Sequence, residues 1–339
     1  NKLKHFIKME QQDASNLIFK EIDFTDILPK IKEITSKEES LDSKRNLVLC
    51  DILYNDEYKQ LMDIFNTLLN LKEYSERAYI ITNEVIETIP AYYTAWCYKL
   101  EIVLNLQKNL QKELLWLDEF TLENPKNYQI WSYRIELVKI YTKDETFSND
   151  KALLKNENII LKLMIEEDSK NHHVWGYKSW LMNFLKLDLD DLDLELEYCD
   201  FLLEDDVLNN SAWVFRYNIL TKIMKFAGNE NDKTVIYKEE LGYAKDKIDL
   251  YPDNVSSWNY YFRIIEILSE NNLEKKVIDS MISVCEEYLN TTSYALEYYC
   301  KLLVLVNGDK DKVKDMYILL RDHRDPIRKI YWDYKLSQL

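Results

Sequence analysis

A phrase built around tryptophan recurs five times along the chain, and it constrains the fold more than any other feature of the sequence. In each copy a turn containing Pro or Asn leads into a Trp, at Trp96, Trp131, Trp175, Trp213 and Trp258. These Trp residues are separated by 35, 44, 38 and 45 residues. Self-similarity at such a period is typical of stacked helical hairpins, in which each hairpin buries its apolar face against its neighbours. The repeat therefore predicts an all-α protein made of antiparallel helical hairpins.

Each repeat has the same internal order, in which a first helix ends, a turn follows, and the Trp belongs to a second helix. Pro stands six residues before the Trp in three copies, as Pro90, Pro125 and Pro252, where it stops the preceding helix. An Asn, Ser or Asp near a helix start supplies an oxygen for an unpaired backbone N–H. The whole chain contains 4 Gly and 5 Pro, too few for the many turns of a strand-rich fold.

The Trp residues and the cations that follow them are expected to be structural. A Trp at repeat spacing ordinarily fills the core between hairpins. Three residues after the Trp, four copies carry a cation and the fifth carries Tyr261, and these cations are Lys99, Arg134, Lys178 and Arg216. We expect the cations to pair with acidic residues of the preceding hairpin.

Residues 48–339 are predicted to form one helical-hairpin repeat domain, and residues 1–47 an N-terminal leader that is partly disordered or extended. Within the leader, the segment 21–29 ends at Pro29 and is predicted to be extended or a turn. Residues 142–158 and 226–234 are polar and are predicted to be surface loops between hairpins.

Charge and composition exclude several classes of protein. A net charge of −16 argues against a nucleic-acid binder, which needs basic residues to neutralise phosphates. The five Cys are scattered without a CxxC pair, and no apolar run is long enough to span a bilayer, so we expect a soluble cytoplasmic protein. The sequence has no Gly-rich phosphate loop, no HExxH and no GxSxG motif. Without a Cys/His cluster of metal-ligand spacing, this chain by itself is not expected to hold a metal.

The turns before the second helices are the best candidates for a binding site, because they emerge along one edge of a helical-hairpin array. The second copy carries Lys126, Tyr128 and Gln129, and the equivalent turn of the third copy carries His172 and His173. A cation, a phenol, an amide and an imidazole together suit an anion such as a phosphate or a carboxylate. Taken alone, Lys126 would be read as a solvated side chain.

These repeats resemble those of protein prenyltransferase α subunits, whose pattern is Pro-x-Asn-Tyr-x-x-Trp-x-x-Arg. The resemblance extends from about residue 48 to residue 334, and it includes Tyr93-Thr-Ala-Trp96, Pro125-Lys-Asn-Tyr-Gln-Ile-Trp131, Asn209-Asn-Ser-Ala-Trp213 and Arg328-Lys-Ile-Tyr-Trp332. Within the family the chain resembles the subunit shared by farnesyltransferase and geranylgeranyltransferase type I. Residues 24–29 are similar to the leader of that subunit, and Gln129 stands where the Rab-type subunit tends to have Gly.

The resemblance implies a right-handed solenoid, a crescent of helical hairpins, that wraps around a separate β subunit in an obligate heterodimer. It implies an enzyme that transfers a farnesyl or geranylgeranyl group from the isoprenoid diphosphate to the Cys thiolate of a Cys-a-a-X protein. The β subunit would hold the catalytic Zn²⁺, with Mg²⁺ as an optional further ion, and the α subunit would be inactive alone. Isoprenoid length, the Mg²⁺ requirement and the substrate proteins are left open by the sequence.

The resemblance also assigns roles on the diphosphate side of the active site. Lys126 matches the family lysine that contacts the diphosphate and offsets its charge as it leaves. Tyr128 and His173 match residues that line this side, and Asn127 matches a supporting residue in the same turn.

On the peptide side, Tyr93 matches a residue near the peptide, and Gln129 matches the residue that bonds the terminal carboxylate of the substrate. Three positions depart from the family pattern: His172 replaces a Tyr, Tyr177-Lys178 replaces His-Arg, and Tyr261 replaces an Arg. The first departure weakens any role for His172, and the others concern packing.

Two alternatives to the shared subunit remain at the level of sequence. One is the Rab-type α subunit, disfavoured by Gln129 and the leader. The other is a non-catalytic adaptor that holds peptides as TPR proteins do, disfavoured because the repeats here are not of fixed 34-residue length.

Overall fold

The structure is a computed structural model that describes residues 22–34, 36, 52–143, 150–270 and 275–339. Within those ranges the regular structure is helical and contains no strand. The chain divides into two compact units, Asn1–Asn149 with Glu157–Met164, and Asp150–Asn156 with Ile165–Leu339. Most of the predicted leader 1–47 lies outside the described residues, so its separation from the repeat domain at residue 48 stays a prediction.

The first unit is built from helices that alternate between first and second members of a hairpin. They are α1 Asp56–Leu71, α2 Glu76–Thr88, α3 Tyr93–Asn105, α4 Leu110–Glu123 and α5 Tyr128–Tyr141. Sequence neighbours pack together within the pairs α2/α3 and α4/α5, and the second helices α3 and α5 also pack on each other. Helix α6, Asp150–Glu167, contributes residues to both units.

The second unit continues the same order. Its further helices are α7 His172–Phe184, α8 Leu189–Asp205, α9 Asn210–Ile223, α10 Glu230–Leu250, α11 Val255–Glu270, α12 Lys275–Tyr288, α13 Ser293–Leu305, α14 Lys310–Leu319 and α15 Lys329–Ser337. The second helices α7, α9, α11 and α13 again pack in succession. The prediction of an all-α fold of repeated helical hairpins is confirmed.

Two predicted loops are shorter than expected, because helices α6 and α10 begin inside them, at Asp150 and Glu230. The start of α10 has a local cause, since the Asn229 side chain accepts a hydrogen bond from the Asp232 N–H at 3.0 Å. That hydrogen bond makes Asn229 an N-cap, and an N-cap can begin a helix in a polar sequence.

The segment 22–34 is a turn followed by a helix, and the prediction that it stops at Pro29 is wrong. The helix covers residues 28–34, with Pro29 in its first turn, where the missing N–H of proline costs no hydrogen bond. Phe24 and Ile27 are buried in the core of the first unit. Arg77 holds Asp26 through two hydrogen bonds, Nη1 to Oδ1 at 2.7 Å and Nη2 to Oδ2 at 2.8 Å. This part of the predicted leader is therefore docked on the hairpins.

The five repeat Trp side chains are buried, as predicted. Four of them also fasten their own turn, because the indole Nε1 donates to the carbonyl oxygen six residues earlier. These bonds join Trp96 to Pro90 at 2.8 Å, Trp175 to Ser169 at 2.9 Å, Trp213 to Val207 at 2.8 Å and Trp258 to Pro252 at 2.8 Å. Each of these four Trp residues thus fills the core and also donates a hydrogen bond to a turn carbonyl.

The cations after the Trp residues form buried ion pairs, but the predicted direction of pairing is wrong. Each contacts a Glu on the first helix of the following hairpin: Lys99 with Glu113 at 2.8 Å, Arg134 with Glu157 at 2.7 Å, Lys178 with Glu195 at 2.7 Å and Arg216 with Glu240 at 2.8 Å. The two Arg residues also contact Asp118 and Asp200 on the first helix of their own hairpin.

The direction of these pairs follows from the face on which the cations lie. Residues three apart share one face of a helix, so each cation lies beside its Trp. The ring of Trp96 packs on Trp116, Phe120 and Tyr133, which all belong to the next hairpin. The helix face that carries the Trp is therefore covered by the following hairpin. The cation on that face pairs with a Glu of the same hairpin.

Candidate functional site

The turn that precedes α5 presents two of the predicted site residues to solvent. Lys126 is exposed, and Tyr128, the first residue of α5, is 58% exposed. Between them Asn127 is the N-cap of the helix, and its Oδ1 accepts the Gln129 N–H at 2.9 Å. This cap fixes the backbone from which the ammonium and the phenol project.

Gln129 has a buried side-chain donor that the described residues leave unpaired. Its side chain is only 2% exposed, and its Nε2 has no hydrogen-bond partner among the described residues. A buried donor left unpaired costs about 1–3 kcal/mol. An acceptor brought by a ligand would remove that cost, so the amide is suited to bind a carboxylate or another anionic oxygen.

Asn127 joins this turn to the one that precedes α3. Its Nδ2 donates to the Pro90 carbonyl oxygen at 2.5 Å, and the same oxygen accepts the Trp96 Nε1 hydrogen bond. Tyr93, the first residue of α3, follows that turn and is 64% exposed. A hydrogen bond with the Cys97 side chain raises the pKa of the Tyr93 hydroxyl above its usual value.

The structure therefore brings five predicted site residues together in the first unit, on two turns that share one hydrogen bond. They are Tyr93, Lys126, Asn127, Tyr128 and Gln129. The role of Asn127 in joining the turns was not predictable from the sequence, because its acceptor is a backbone carbonyl. The role of each side chain toward a ligand stays a prediction.

His173 lies in the second unit, near the start of α7. Its N–H donates to the Asn171 Oδ1 at 3.0 Å, as the Gln129 N–H does to Asn127, so the two side chains occupy equivalent repeat positions. His173 is half-buried, and its ring meets the exposed ring of His172 edge-on, with centroids 5.8 Å apart. The grouping of His173 with Lys126 stays a prediction.

The starts of six second helices lack acidic side chains, a pattern that the Trp motif does not include. No Asp or Glu is present in the first turn of α3, α5, α7, α9, α11 or α13. Among the first helices, acidic residues are present in the first turns of α2, α4, α8 and α14, but not in that of α12. Since a helix N-terminus carries about half a positive charge, the second helices keep an uncompensated positive end in a strongly acidic chain.

In the described ranges, no group of three or more His, Cys, Asp or Glu side chains could hold a metal ion. No helix of those ranges is both long and apolar enough to cross a bilayer.

The hairpins match a known repeat. The model of the protein prenyltransferase alpha subunit repeat matches residues 110–141, 154–185, 192–223 and 237–268. Each match spans the first and second helix of one hairpin, and the first coincides with α4 and α5.

Whole-chain comparisons agree with the repeat match. The chain is 36% identical to the protein farnesyltransferase/geranylgeranyltransferase type-1 subunit alpha of Candida albicans, over 94% of this chain and 97% of that relative. It is 28% identical to the subunit of the same name from Arabidopsis thaliana, over 85% and 89%. Among solved structures, it matches a chain of Candida albicans protein geranylgeranyltransferase-I complexed with GGPP, with a TM-score of 0.74 and 35% identity over 86% of this chain and 93% of that one.

These relatives favour the shared subunit over the Rab-type and adaptor alternatives. The repeat match, the coverage of both chains and the similarity of fold lead to one conclusion. The chain belongs to the family of protein prenyltransferase α subunits, and to the type shared by farnesyltransferase and geranylgeranyltransferase type 1.

Proposed function

We propose that the chain works as the α subunit of a cytoplasmic heterodimer that transfers a farnesyl or geranylgeranyl group to Cys-a-a-X proteins. The observation that carries this proposal is the buried Nε2 of Gln129, which has no hydrogen-bond partner among the described residues, on the same turn as the exposed Lys126 and Tyr128. An edge of this kind offers donors for two anions, a diphosphate and a carboxylate. The solved relative of similar fold binds GGPP, an isoprenoid diphosphate, which agrees with that chemistry.

In the proposed reaction a Cys thiolate attacks C1 of the isoprenoid, the new C–S bond forms, and the C1–O bond breaks with its electron pair leaving on the diphosphate. The Lys126 ammonium is proposed to stabilise the charge that develops on the leaving group. The Tyr128 hydroxyl and the His173 imidazole are proposed to donate hydrogen bonds on the same side. The resemblance places a Zn²⁺ in the β subunit, and that ion would hold the substrate Cys as a thiolate. Mg²⁺ is an optional further ion.

Gln129 is proposed to bind the free C-terminal carboxylate of the substrate, with Tyr93 beside the peptide. A carboxylate accepts hydrogen bonds only, so it complements the Nε2 donor that the protein leaves unpaired. This assignment gives a role to a buried amide at a position where the third repeat has His173 and the fourth has Ser211.

Co-expression with a β subunit tests the function. We expect prenyl transfer to a Cys-a-a-X peptide when this chain is expressed with a farnesyltransferase or geranylgeranyltransferase type 1 β subunit, and none from either chain alone. A stable monomer that binds no such β subunit would contradict the proposal and support the adaptor alternative.

Replacing Gln129 by Leu should raise the KM for the peptide by about 10- to 100-fold, because a hydrogen bond to a charged group contributes about 1.5–3 kcal/mol. Leu keeps the size and burial of the side chain but removes the donor. Steady-state kinetics with a Cys-a-a-X peptide and with its C-terminal amide give the check. The variant and the parent should differ more for the acid than for the amide, because the hydrogen bond to the charged carboxylate is the stronger one. An equal change of KM for both peptides would show that Gln129 does not read the carboxylate.

A further inference from the structure

We propose that Asn127 is a positioning residue that holds the peptide side of the site in register with the diphosphate side. The inference rests on the proposed function, which places Tyr93 beside the peptide and Lys126 beside the diphosphate. Asn127 stands between them, and its side chain connects the two turns from which those residues project.

Both polar atoms of the Asn127 side chain are already used within the protein. Oδ1 accepts the Gln129 N–H at 2.9 Å, which fixes the start of α5. Nδ2 donates to the Pro90 carbonyl oxygen at 2.5 Å, which fixes the turn before α3. A side chain engaged at both ends acts through the residues that it holds, rather than by contact with a substrate.

The same connection recurs in the second unit. Asn209 Nδ2 donates to the Ser169 carbonyl oxygen at 3.1 Å, and Asn254 Nδ2 donates to the Val207 carbonyl oxygen at 2.7 Å. In each case the Asn of one turn holds the carbonyl that the Trp of the preceding turn also holds. The hydrogen bond from Asn Nδ2 to a carbonyl of the preceding turn is thus part of the repeat. At Asn127 it joins two turns that both carry proposed substrate contacts.

Register matters at such a site because the thiolate and the leaving group must be aligned. A displacement of the order of 1 Å in a positioning group can lower the rate of a chemical step by about 10²-fold, even when substrate binding is kept. Loss of the bond between Asn127 and Pro90 would free the two turns to shift relative to each other. The expected defect is therefore in the chemical step.

The test uses Asn127→Ser in the assembled heterodimer. Serine caps a helix about as well as Asn, so the Gln129 N–H keeps its acceptor, while the donor to Pro90 is lost and no charge is introduced. Asn254→Ser is the matched control, because it removes the equivalent bond to Val207 from a turn without proposed substrate contacts. Asn127→Gly, also tolerated at helix starts, replaces the Ser variant if that heterodimer does not assemble.

We expect Asn127→Ser to lower the single-turnover rate of prenyl transfer by about tenfold, with the KM of both substrates changed by less than about threefold. Asn254→Ser should lower the melting temperature similarly and leave the rate unchanged. Equal losses of melting temperature with unchanged rates in both variants would overturn the proposal, as would a change confined to KM. Failure of the unmodified heterodimer to transfer a prenyl group would instead contradict the proposed function.

Discussion

Replacing Lys126 by Ala in the assembled heterodimer is expected to lower the rate of prenyl transfer by about 10²-fold, the effect typical of one lost electrostatic contact to a developing charge. The ammonium interacts most strongly with the diphosphate as it leaves, so kcat should fall more than the affinity for the isoprenoid diphosphate. Single-turnover kinetics, together with a titration of the isoprenoid diphosphate, separate these two quantities. A loss smaller than about threefold in the single-turnover rate would show that Lys126 has no role in the chemical step.

Lys170→Ala is the matched control for this experiment. Lys170 precedes Asn171 as Lys126 precedes Asn127, so the two lysines occupy the same place in successive turns. Lys170 is exposed, and its Nζ contacts Asp206 at 3.0 Å. An exposed ion pair contributes about 0–1 kcal/mol, so its loss should not affect the rate. Equal losses in the two variants would point to the net charge of the edge rather than to a contact made by Lys126.

The hairpins were predictable because the signals for them are local. The Asn that caps α5 and the Trp four residues later are read directly from the sequence, and their spacing sets the turn. The burial of Trp96 and Trp213 follows from the same repeat. Helix starts within polar sequence were less predictable, because at Asn229 a single side-chain hydrogen bond decides where α10 begins.

Features that depend on a neighbouring hairpin were not predictable. The sequence shows a cation one turn after each Trp, but which hairpin covers that face is a tertiary property. The partner of Lys99 was therefore expected on the preceding hairpin, but it is Glu113, on the following hairpin. The hydrogen bond from Asn127 to Pro90 was equally unpredictable, because no pattern of side chains identifies a backbone carbonyl as an acceptor.

The candidate site was predicted by residue type, and the structure adds a reason for one residue in particular. At the level of sequence, Gln129 was proposed only because it resembles a family residue. In the described part of the chain its Nε2 is buried and unpaired, which is a physical reason to expect a ligand there. For Lys126 and Tyr128 the structure adds exposure on a capped turn.

Replacing Arg216 by Met should lower the free energy of unfolding by about 3–5 kcal/mol, because removal of one partner leaves a buried charge uncompensated. Arg216 is buried and forms two hydrogen bonds to Glu240, from Nε at 2.9 Å and from Nη2 at 2.8 Å. Urea denaturation gives the measurement. Arg263→Met is the control, since Arg263 is exposed, contacts Glu266 at 3.0 Å, and should contribute less than about 1 kcal/mol.

The double variant Arg216→Met/Glu240→Gln should be more stable than Arg216→Met. Gln removes the buried charge, yet it can still accept the hydrogen bond that the Tyr260 hydroxyl gives to Glu240 at 2.5 Å. A gain of about 1–3 kcal/mol over the single variant would measure the cost of the unpaired carboxylate. Equal stabilities of the single and double variants would contradict this account.

The fifth repeat indicates that a neutral side chain at the cation position is compatible with the fold. There Tyr261 takes the place of the cation, and it is buried. Burial raises the pKa of the Tyr261 hydroxyl above its usual value, and the nearby Cys285 raises it further. A neutral phenol thus stands where the other repeats have a cation. With no cation at this position, the fifth repeat keeps the position buried without a charge there, whereas Arg216→Met alone would leave the charge of Glu240 unpaired.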